Sequence, residues 1–203
     1  MSGPLARTQH AFRIAVLLPL LSLLLTSCGY NNIPTYEEQA KAKWSEVLNQ
    51  YQRRADLIPN LVETVKGFAK QESGVLEAVT AARAAATSVK VDASTINDPE
   101  TFKKFQEAQA QLSGSLGRLL AIQENYPVLK SNQNFLTLQS QLEGTENRIA
   151  VARRDYIEAV RAYNTELKTF PGSLWRRIFY SRNKPMEEFS VADSAKAAPA
   201  VKF

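Results

Sequence analysis

The sequence predicts an all-α protein, an elongated antiparallel bundle of three long helices, or of four if the first is divided at Pro59 or Gly74. Apolar residues recur at alternating steps of four and three in three long stretches, which is the spacing of packed helices. Short segments join these stretches, so neighbouring helices must be antiparallel. No stretch alternates apolar and polar residues over a useful length, as a half-buried strand would.

The first stretch extends from about residue 36 to residue 90. Because proline lacks a backbone N–H and clashes with the preceding turn, we expect a kink near residues 55–59, before Pro59. The spacing keeps its phase across the proline, which favours one bent helix, although Gly74 is a second weak point. The predicted core positions are Trp44, Leu48, Tyr51, Ala55, Ile58, Val62, Val65, Ala69, Leu76 and Val79.

Two more helices follow a predicted loop at residues 91–97. Asp98 has the character of an N-cap, and Pro99 suits the first helical position. This second helix is expected to stop at Tyr126-Pro127, and the third to continue for about eight turns to Pro171-Gly172. The predicted core positions of these two helices are Phe102, Phe105, Gln109, Leu112, Leu116, Leu119, Gln123, Phe135, Leu138, Leu142, Thr145, Ile149, Ala152, Tyr156, Ala159 and Tyr163.

The N-terminus has the parts of a secretory signal peptide: two arginines, an apolar run of about a dozen residues, and small residues at its end. A membrane-spanning helix needs about 20 apolar residues, so this run is a poor span. Residues 25–28, Leu-Thr-Ser-Cys, resemble the lipobox of bacterial lipoproteins. The resemblance implies cleavage between Ser27 and Cys28 and attachment of lipid to Cys28. An uncleaved signal anchor, or ordinary secretion with an incidental thiol, is the alternative.

Four segments are therefore predicted. Residues 1–27 are the signal peptide, 28–35 a short tether, 36–172 the helical domain, and 173–203 a basic and apolar C-terminal segment. Its end, from Ser190, is rich in alanine and is expected to be disordered.

Composition excludes several kinds of chemistry. The only histidine, His10, lies in the signal peptide, and the only cysteine, Cys28, would carry lipid. Catalysis by Cys/His or Ser/His partners and His- or Cys-based metal sites are thereby excluded from the mature chain. We predict no enzyme, no metal and no cofactor. Nucleic acid is not an expected partner, because basic and acidic residues alternate along the chain.

Polar residues gather within about three turns around the proline of the first helix. Asp56, Asn60 and Glu63 are three or four residues apart and share a helix face. Carboxylates placed in this way bind a cation or act as an acid/base pair. The candidate interaction surface consists of Arg53, Arg54, Asp56, Asn60 and Glu63.

A structural interpretation of the same residues is favoured. In this interpretation, Asp56 and Asn60 form hydrogen bonds with backbone groups that Pro59 leaves unpaired, or pair with arginines of the third helix. Those arginines are Arg148, Arg153 and Arg154.

The C-terminal segment holds a second candidate. Large apolar and basic residues alternate after Pro171, and such a stretch either lies on a membrane or caps the bundle. Capping is favoured, because an exposed cluster this apolar is an aggregation risk. The candidate membrane contacts are Trp175, Arg176, Arg177 and Phe179.

The segment from Arg53 to Ala69 reads RRADLIPNLVETVKGFA. It resembles the signature of the LemA family of bacterial envelope proteins. The resemblance implies a helical fold, membrane association with the domain outside the cytoplasm, and a molecular function that is unassigned. Further matching pieces are residues 124–130, Asn134-Phe135, residues 138–146, Tyr163-Asn164 and Phe170-Pro171.

Two departures from the family pattern affect what the resemblance implies. Many relatives are held by an N-terminal transmembrane helix, where this chain has the lipobox. The Tyr-Asn pair expected one or two turns before Tyr163-Asn164 is Tyr156-Ile157 here. The second departure weakens the idea that paired asparagines form a required site.

The expected function is that of a non-enzymatic lipoprotein of the bacterial envelope, a helical scaffold or adaptor for envelope proteins. The alternatives are a carboxylate-based envelope hydrolase and a lipid-binding or membrane-remodelling protein. The domain is expected in the periplasm, held at the outer rather than the inner membrane, because Gly29 follows Cys28 where aspartate would indicate inner-membrane retention. The sequence leaves the oligomeric state open, a homo-oligomer included.

Overall fold

A computed structural model of the chain describes residues 29–189. The signal peptide, Cys28 and the C-terminal end from Ser190 lie outside the described residues. Within them the chain is helical and has no strand, so the predicted all-α class is confirmed. The helices are α1 (Asn32–Phe68), α2 (Ser73–Ser88), α3 (Pro99–Ala121), α4 (Pro127–Lys130), α5 (Gln133–Glu166) and α6 (Gly172–Ile178).

The first predicted helix is two helices. It continues through Pro59 without a break, ends at Phe68, and a 3-10 turn at Lys70–Glu72 leads into α2. One of the two expected division points, near Gly74, is thus confirmed, and a single helix from residue 36 to 90 is wrong. The reversal lets α2 bury Leu76 and Val79 against the second half of α1. A straight continuation would leave this apolar surface in water.

The long helices form an up-and-down arrangement. Side-chain hydrogen bonds join Asn32 to Glu166 and Lys43 to Asp155, so α5 runs antiparallel to α1 along most of its length. Helix α2 packs on both α1 and α3. With 37 residues in α1 and 34 in α5, each of these helices is about 50 Å long.

Local signals fixed two helix starts. The Asp98 carboxylate accepts hydrogen bonds from the backbone N–H groups of Glu100 and Thr101, and Pro99 is the first residue of α3, as predicted. Asn132 caps α5 in the same way by accepting the N–H of Phe135 at 3.1 Å. Both caps satisfy donors that a helix cannot pair internally.

The core has two parts, because α2 covers only the second half of α1. Beside the first half of α1, residues 180–189 pack against α1 and α5. This segment is here called the C-terminal strap. Met186 and Phe189 of the strap are buried with residues of α1, α3 and α5. The sequence pattern gave no expectation that residues beyond 172 fill the core.

Hydrogen bonds hold the C-terminal strap in place. The Asn164 side chain accepts the N–H of Met186 at 2.9 Å and donates to the Met186 carbonyl at 3.0 Å. The Tyr156 hydroxyl donates to the carbonyl of Glu187 at 2.7 Å. The N–H of Glu187 in turn donates to the carbonyl of Ile96 at 2.8 Å, so the strap has polar partners on two sides.

Candidate functional site

The predicted interaction surface is divided between two sides of α1. Arg53, Asp56, Asn60 and Glu63 are exposed, whereas Arg54 points inward. Asp56 accepts a hydrogen bond from the Gln52 side chain at 2.8 Å, a contact within the same helix. The four exposed residues therefore form an open, solvated face.

The arginines of the third predicted helix, now α5, have other partners than the expected ones. Arg148 donates to the side chain of Gln50 at 3.2 Å. The guanidinium carbon of Arg153 lies 4.4 Å from the centre of the Phe189 ring, within reach of a cation–π interaction. Arg154 pairs with its neighbour Asp155 at 3.4 Å.

Arg54 occupies a regular core position of α1 and is only 1% exposed. At two positions of α1 the buried residue is the one before the predicted residue. Val47 and Leu61 are buried, whereas the predicted Leu48 and Val62 are half-buried. The sequence pattern placed Arg54 on the candidate interaction surface and missed its burial, because an arginine does not count toward an apolar stripe. Its spacing from the buried neighbours was the signal that could have found it: Ala40, Trp44, Val47, Tyr51, Arg54, Ile58, Leu61 and Val65.

The Arg54 guanidinium joins three helices. It donates to the Glu146 carboxylate of α5 at 2.9 Å and to the Ser113 hydroxyl of α3 at 2.8 Å. It also donates to the side-chain oxygen of Gln109, which is itself buried. A planar guanidinium with several donors suits such a junction better than a lysine would.

Tyr51 lies beside this junction. The Arg54 guanidinium carbon is 5.0 Å from the centre of the Tyr51 ring. Burial raises the pKa of the Tyr51 hydroxyl, while the positive charges of Arg153 and Arg54 act in the opposite direction. Burial thus favours the neutral form of the Tyr51 hydroxyl.

We expect Arg54→Met to lower the free energy of unfolding by about 2–3 kcal/mol. The substitution leaves the side-chain oxygen of the buried Gln109 without its donor. Ser113 keeps its hydrogen bond to the Gln109 carbonyl, and the exposed Glu146 carboxylate regains water. Arg53→Met is the matched control, because this neighbouring arginine is exposed. Urea unfolding followed by circular dichroism measures both variants; equal losses would show that the junction contributes nothing specific.

The proline of α1 has a specific partner as well. Pro59 has no N–H to donate to the carbonyl of Ala55, four residues earlier. That carbonyl accepts a hydrogen bond from the side-chain Nε of Arg83 on α2, at 2.7 Å. The group that the proline leaves free is thus satisfied by the helix that folds back on it, and not by Asp56 or Asn60.

A double-mutant cycle tests this compensation. We expect Arg83→Met to cost about 1–2 kcal/mol of unfolding free energy in the native sequence, since the Ala55 carbonyl loses its partner. In a Pro59→Ala background the alanine N–H bonds the same carbonyl, so the cost of Arg83→Met should fall. Equal costs in the two backgrounds, measured by urea unfolding, would contradict the pairing.

Helix α6 closes the end of the bundle where the described chain begins. Tyr30 packs against Trp175 and Phe179, with ring centres 5.9 and 5.5 Å apart. Ile178, the last residue of α6, and the following Phe179 are exposed, with 56% and 57% of their surface accessible. The segment therefore covers the bundle end with one side and leaves apolar groups in solvent on the other.

One cavity lies between α1, α2 and α3, beside Tyr51 and Gln109. Its volume is about 250 Å³. Ligand pockets of proteins usually have roughly 300–1,000 Å³, so this cavity is small for a site of that kind. In residues 29–189, no three His, Cys, Asp or Glu side chains converge as metal ligands would.

Comparison with known proteins decides the family. The model of the LemA family matches residues 43–203, most of the chain. This chain belongs to the LemA family. The match includes the signature segment, the Tyr163-Asn164 pair and the C-terminal strap.

Similar proteins include magnetosome proteins of two organisms. The chain is 26% identical over 199 residues to magnetosome proteins MamQ 1 and MamQ 2 of Paramagnetospirillum magneticum, covering 87% of this chain and 73% of each relative. It is 25% identical over 205 residues to magnetosome protein MamQ of Magnetospirillum gryphiswaldense, covering 90% of this chain and 74% of the relative. At a coarse level, the family and these relatives support a membrane-associated protein.

The LemA motifs have structural roles in this chain. In the signature segment, Arg54 joins three helices and Pro59 is paired through Arg83. At the other motif, Asn164 clamps the C-terminal strap, and the Tyr163 hydroxyl accepts a hydrogen bond from Asn183 at 3.1 Å. None of the helices between residues 29 and 189 has the length and apolar character needed to cross a bilayer.

Proposed function

We propose that this LemA-family chain is a non-enzymatic, lipid-anchored adaptor of the bacterial envelope, which is held by Cys28 and offers its helical sides to partner proteins. One observation carries the proposal. Gly29, the residue after Cys28, lies at the bundle end, where a β-carbon on it would be 3.3 Å from Pro171. A lipid on Cys28 would therefore hold the domain by one end of its long axis.

The sequence supports this kind of anchor. Residues 1–28 combine a signal peptide with a lipobox-like ending. A single acyl chain holds a protein weakly, whereas two or three chains, at about 0.8 kcal/mol per buried methylene, hold it stably. Lipid attachment also removes the only thiol of an exported chain.

The sides of the bundle support an adaptor role. Arg53, Asp56, Asn60 and Glu63 form an exposed polar face in the second half of α1. The same side chains carry the alternative of a carboxylate hydrolase, but the structure gives Asp56 only an intrahelical amide partner. The mature chain would also lack histidine and free cysteine.

The compartment we propose is the periplasm, with the lipid in the outer membrane, because glycine and not aspartate follows Cys28. The relatives are named magnetosome proteins, and no magnetosome role is carried over to this chain.

Site-specific photo-cross-linking in living cells tests the adaptor role. A photoreactive residue is placed at Asp56 or Glu63 on the exposed face, and at Ile58 in the core as a control. We expect one reproducible partner protein from the exposed positions and none from the core position. The adaptor role is overturned if exposed positions around the bundle yield no partner, or if the purified protein turns over peptidoglycan or phosphoesters and Asp56→Asn with Glu63→Gln abolishes that activity.

A further inference from the structure

We infer that the α6 end of the bundle is a second membrane contact, in which apolar side chains enter the headgroup region and arginines bind anionic phospholipids. This inference rests on the proposed lipid anchor and adds to it. The lipid fixes one point of the chain, and the second contact would set the orientation of the bundle on the membrane.

The apolar part of this contact is the α6 patch, defined as Phe170, Leu174, Ile178 and Phe179. These side chains are 81%, 43%, 56% and 57% exposed. Leu174 and Ile178 are four residues apart in α6 and share its outer face. With Tyr30, the patch holds five of the nine large apolar side chains that are exposed in residues 29–189.

The sequence segment that carries the α6 patch is basic. Residues 167–186 contain five basic side chains and no acidic one, and Glu187 and Glu188 follow them. Two acidic side chains of neighbouring helices, Glu37 and Glu166, accept hydrogen bonds from the amides of Asn183 and Asn32. Basic residues beside apolar and aromatic ones are the composition of segments that lie in a membrane interface. The five basic residues are Lys168, Arg176, Arg177, Arg182 and Lys184.

The position of Gly29 favours a bilayer over a protein partner as the structure that covers the α6 patch. Cys28 is one residue, about 3.8 Å of chain, from Gly29. Gly29 has a φ of +81°, and a β-carbon on it would lie 3.3 Å from the side chain of Pro171, in the turn before α6. Lipid on Cys28 would thus bring the headgroups directly onto the α6 patch, and a soluble partner would have to displace them.

The two tryptophans of the chain allow a direct test. Trp175 lies in α6 and Trp44 is 1% exposed in the core. The full-length lipidated protein is reconstituted into vesicles of phosphatidylcholine with phosphatidylglycerol, with and without brominated acyl chains. Trp175→Phe serves as the blank. We expect about twofold greater quenching in the native protein than in the blank, because an interfacial indole lies within reach of the bromines.

Matched variants distinguish membrane contact by the α6 patch from quenching caused by the lipid anchor alone. Leu174→Ser with Phe179→Ser removes apolar groups from the patch, and Val128→Ser with Leu136→Ser removes exposed apolar groups from the opposite end of the bundle. We expect the first pair of substitutions to abolish Trp175 quenching and the second pair to leave it unchanged. Arg177→Glu with Arg182→Glu, both exposed, should weaken quenching in the anionic vesicles without a change in the core.

Other outcomes distinguish the two proposals. Mass spectrometry of the same sample shows whether Cys28 carries lipid, so a missing lipid is a failure of the anchor. If lipid is present and Trp175 is not quenched, the second contact is wrong while the anchor stands. Quenching that survives both the serine and the glutamate variants would also overturn the inference.

Discussion

Trp44→Ala is expected to lower the free energy of unfolding by about 3–5 kcal/mol, the range for large aromatic residues removed from a core. Trp44 is the centre of the first half of the core. Its indole N–H donates to the carbonyl of Asp92 at 2.9 Å. Ring centres within 6.0 Å of it belong to Phe102, Phe105, Tyr156 and Phe189.

The large effect follows from what Trp44 brings together. It contacts α3, α5 and the C-terminal strap at once, so its loss leaves a cavity that no single neighbour can fill. Urea unfolding followed by circular dichroism gives the free energy. Val151→Ala, at a position 48% exposed on α5, is the control and should change it by less than about 0.5 kcal/mol. A loss below about 1 kcal/mol for Trp44→Ala would contradict the described core.

Cys28→Ala is expected to abolish lipid attachment completely. The chain has no second cysteine that could accept a diacylglycerol. Cells are fed an alkyne-labelled fatty acid, and the purified protein is examined for label and for cleavage of the signal peptide. Ser27→Ala keeps a small residue before the cysteine and should retain the label.

Membrane fractionation of the same strains extends this test. The native protein should stay with the membranes after a high-salt wash, because acyl chains and not charges hold it. Label that persists in Cys28→Ala, or a native protein without label, would show that Cys28 is not the lipid anchor.

Local features of the fold were predictable from the sequence, because their causes are local. Asp98 and Pro99 define the start of α3 through contacts with the next three residues, and the structure has the helix there. The periodic burial of α3 and of most of α5 was also predictable, since a stripe depends on spacing alone. In α5, the predicted core residues Leu138 and Ala159 are only half-buried, and Val160 is buried instead.

Features that depend on distant contacts were not predictable in the same way. The Ala55 carbonyl is paired by Arg83, which is adjacent only because α2 turns back on α1. The division of the first helix near Gly74 was foreseen only as one option, since the gain comes from packing and not from helix propensity. Met186 and Phe189 of the strap fill a core position without any periodic pattern around them.

The candidate site shows the same division. Exposure of Asp56, Asn60 and Glu63 agrees with their shared helix face, whereas Arg54, one residue from Arg53, points inward. A buried arginine is favourable only where partners converge on it, and those partners come from α3 and α5. The sequence lists the partners but does not place them.

We propose that a lipid on Cys28 holds the bundle by its α6 end, and mass spectrometry of the N-terminal peptide of the protein extracted from membranes tests this proposal. We expect a peptide that begins at Cys28 and carries a thioether-linked diacylglycerol and an acylated amine. A peptide that still joins Ser27 to Cys28, or that begins with an unmodified Cys28, would contradict it.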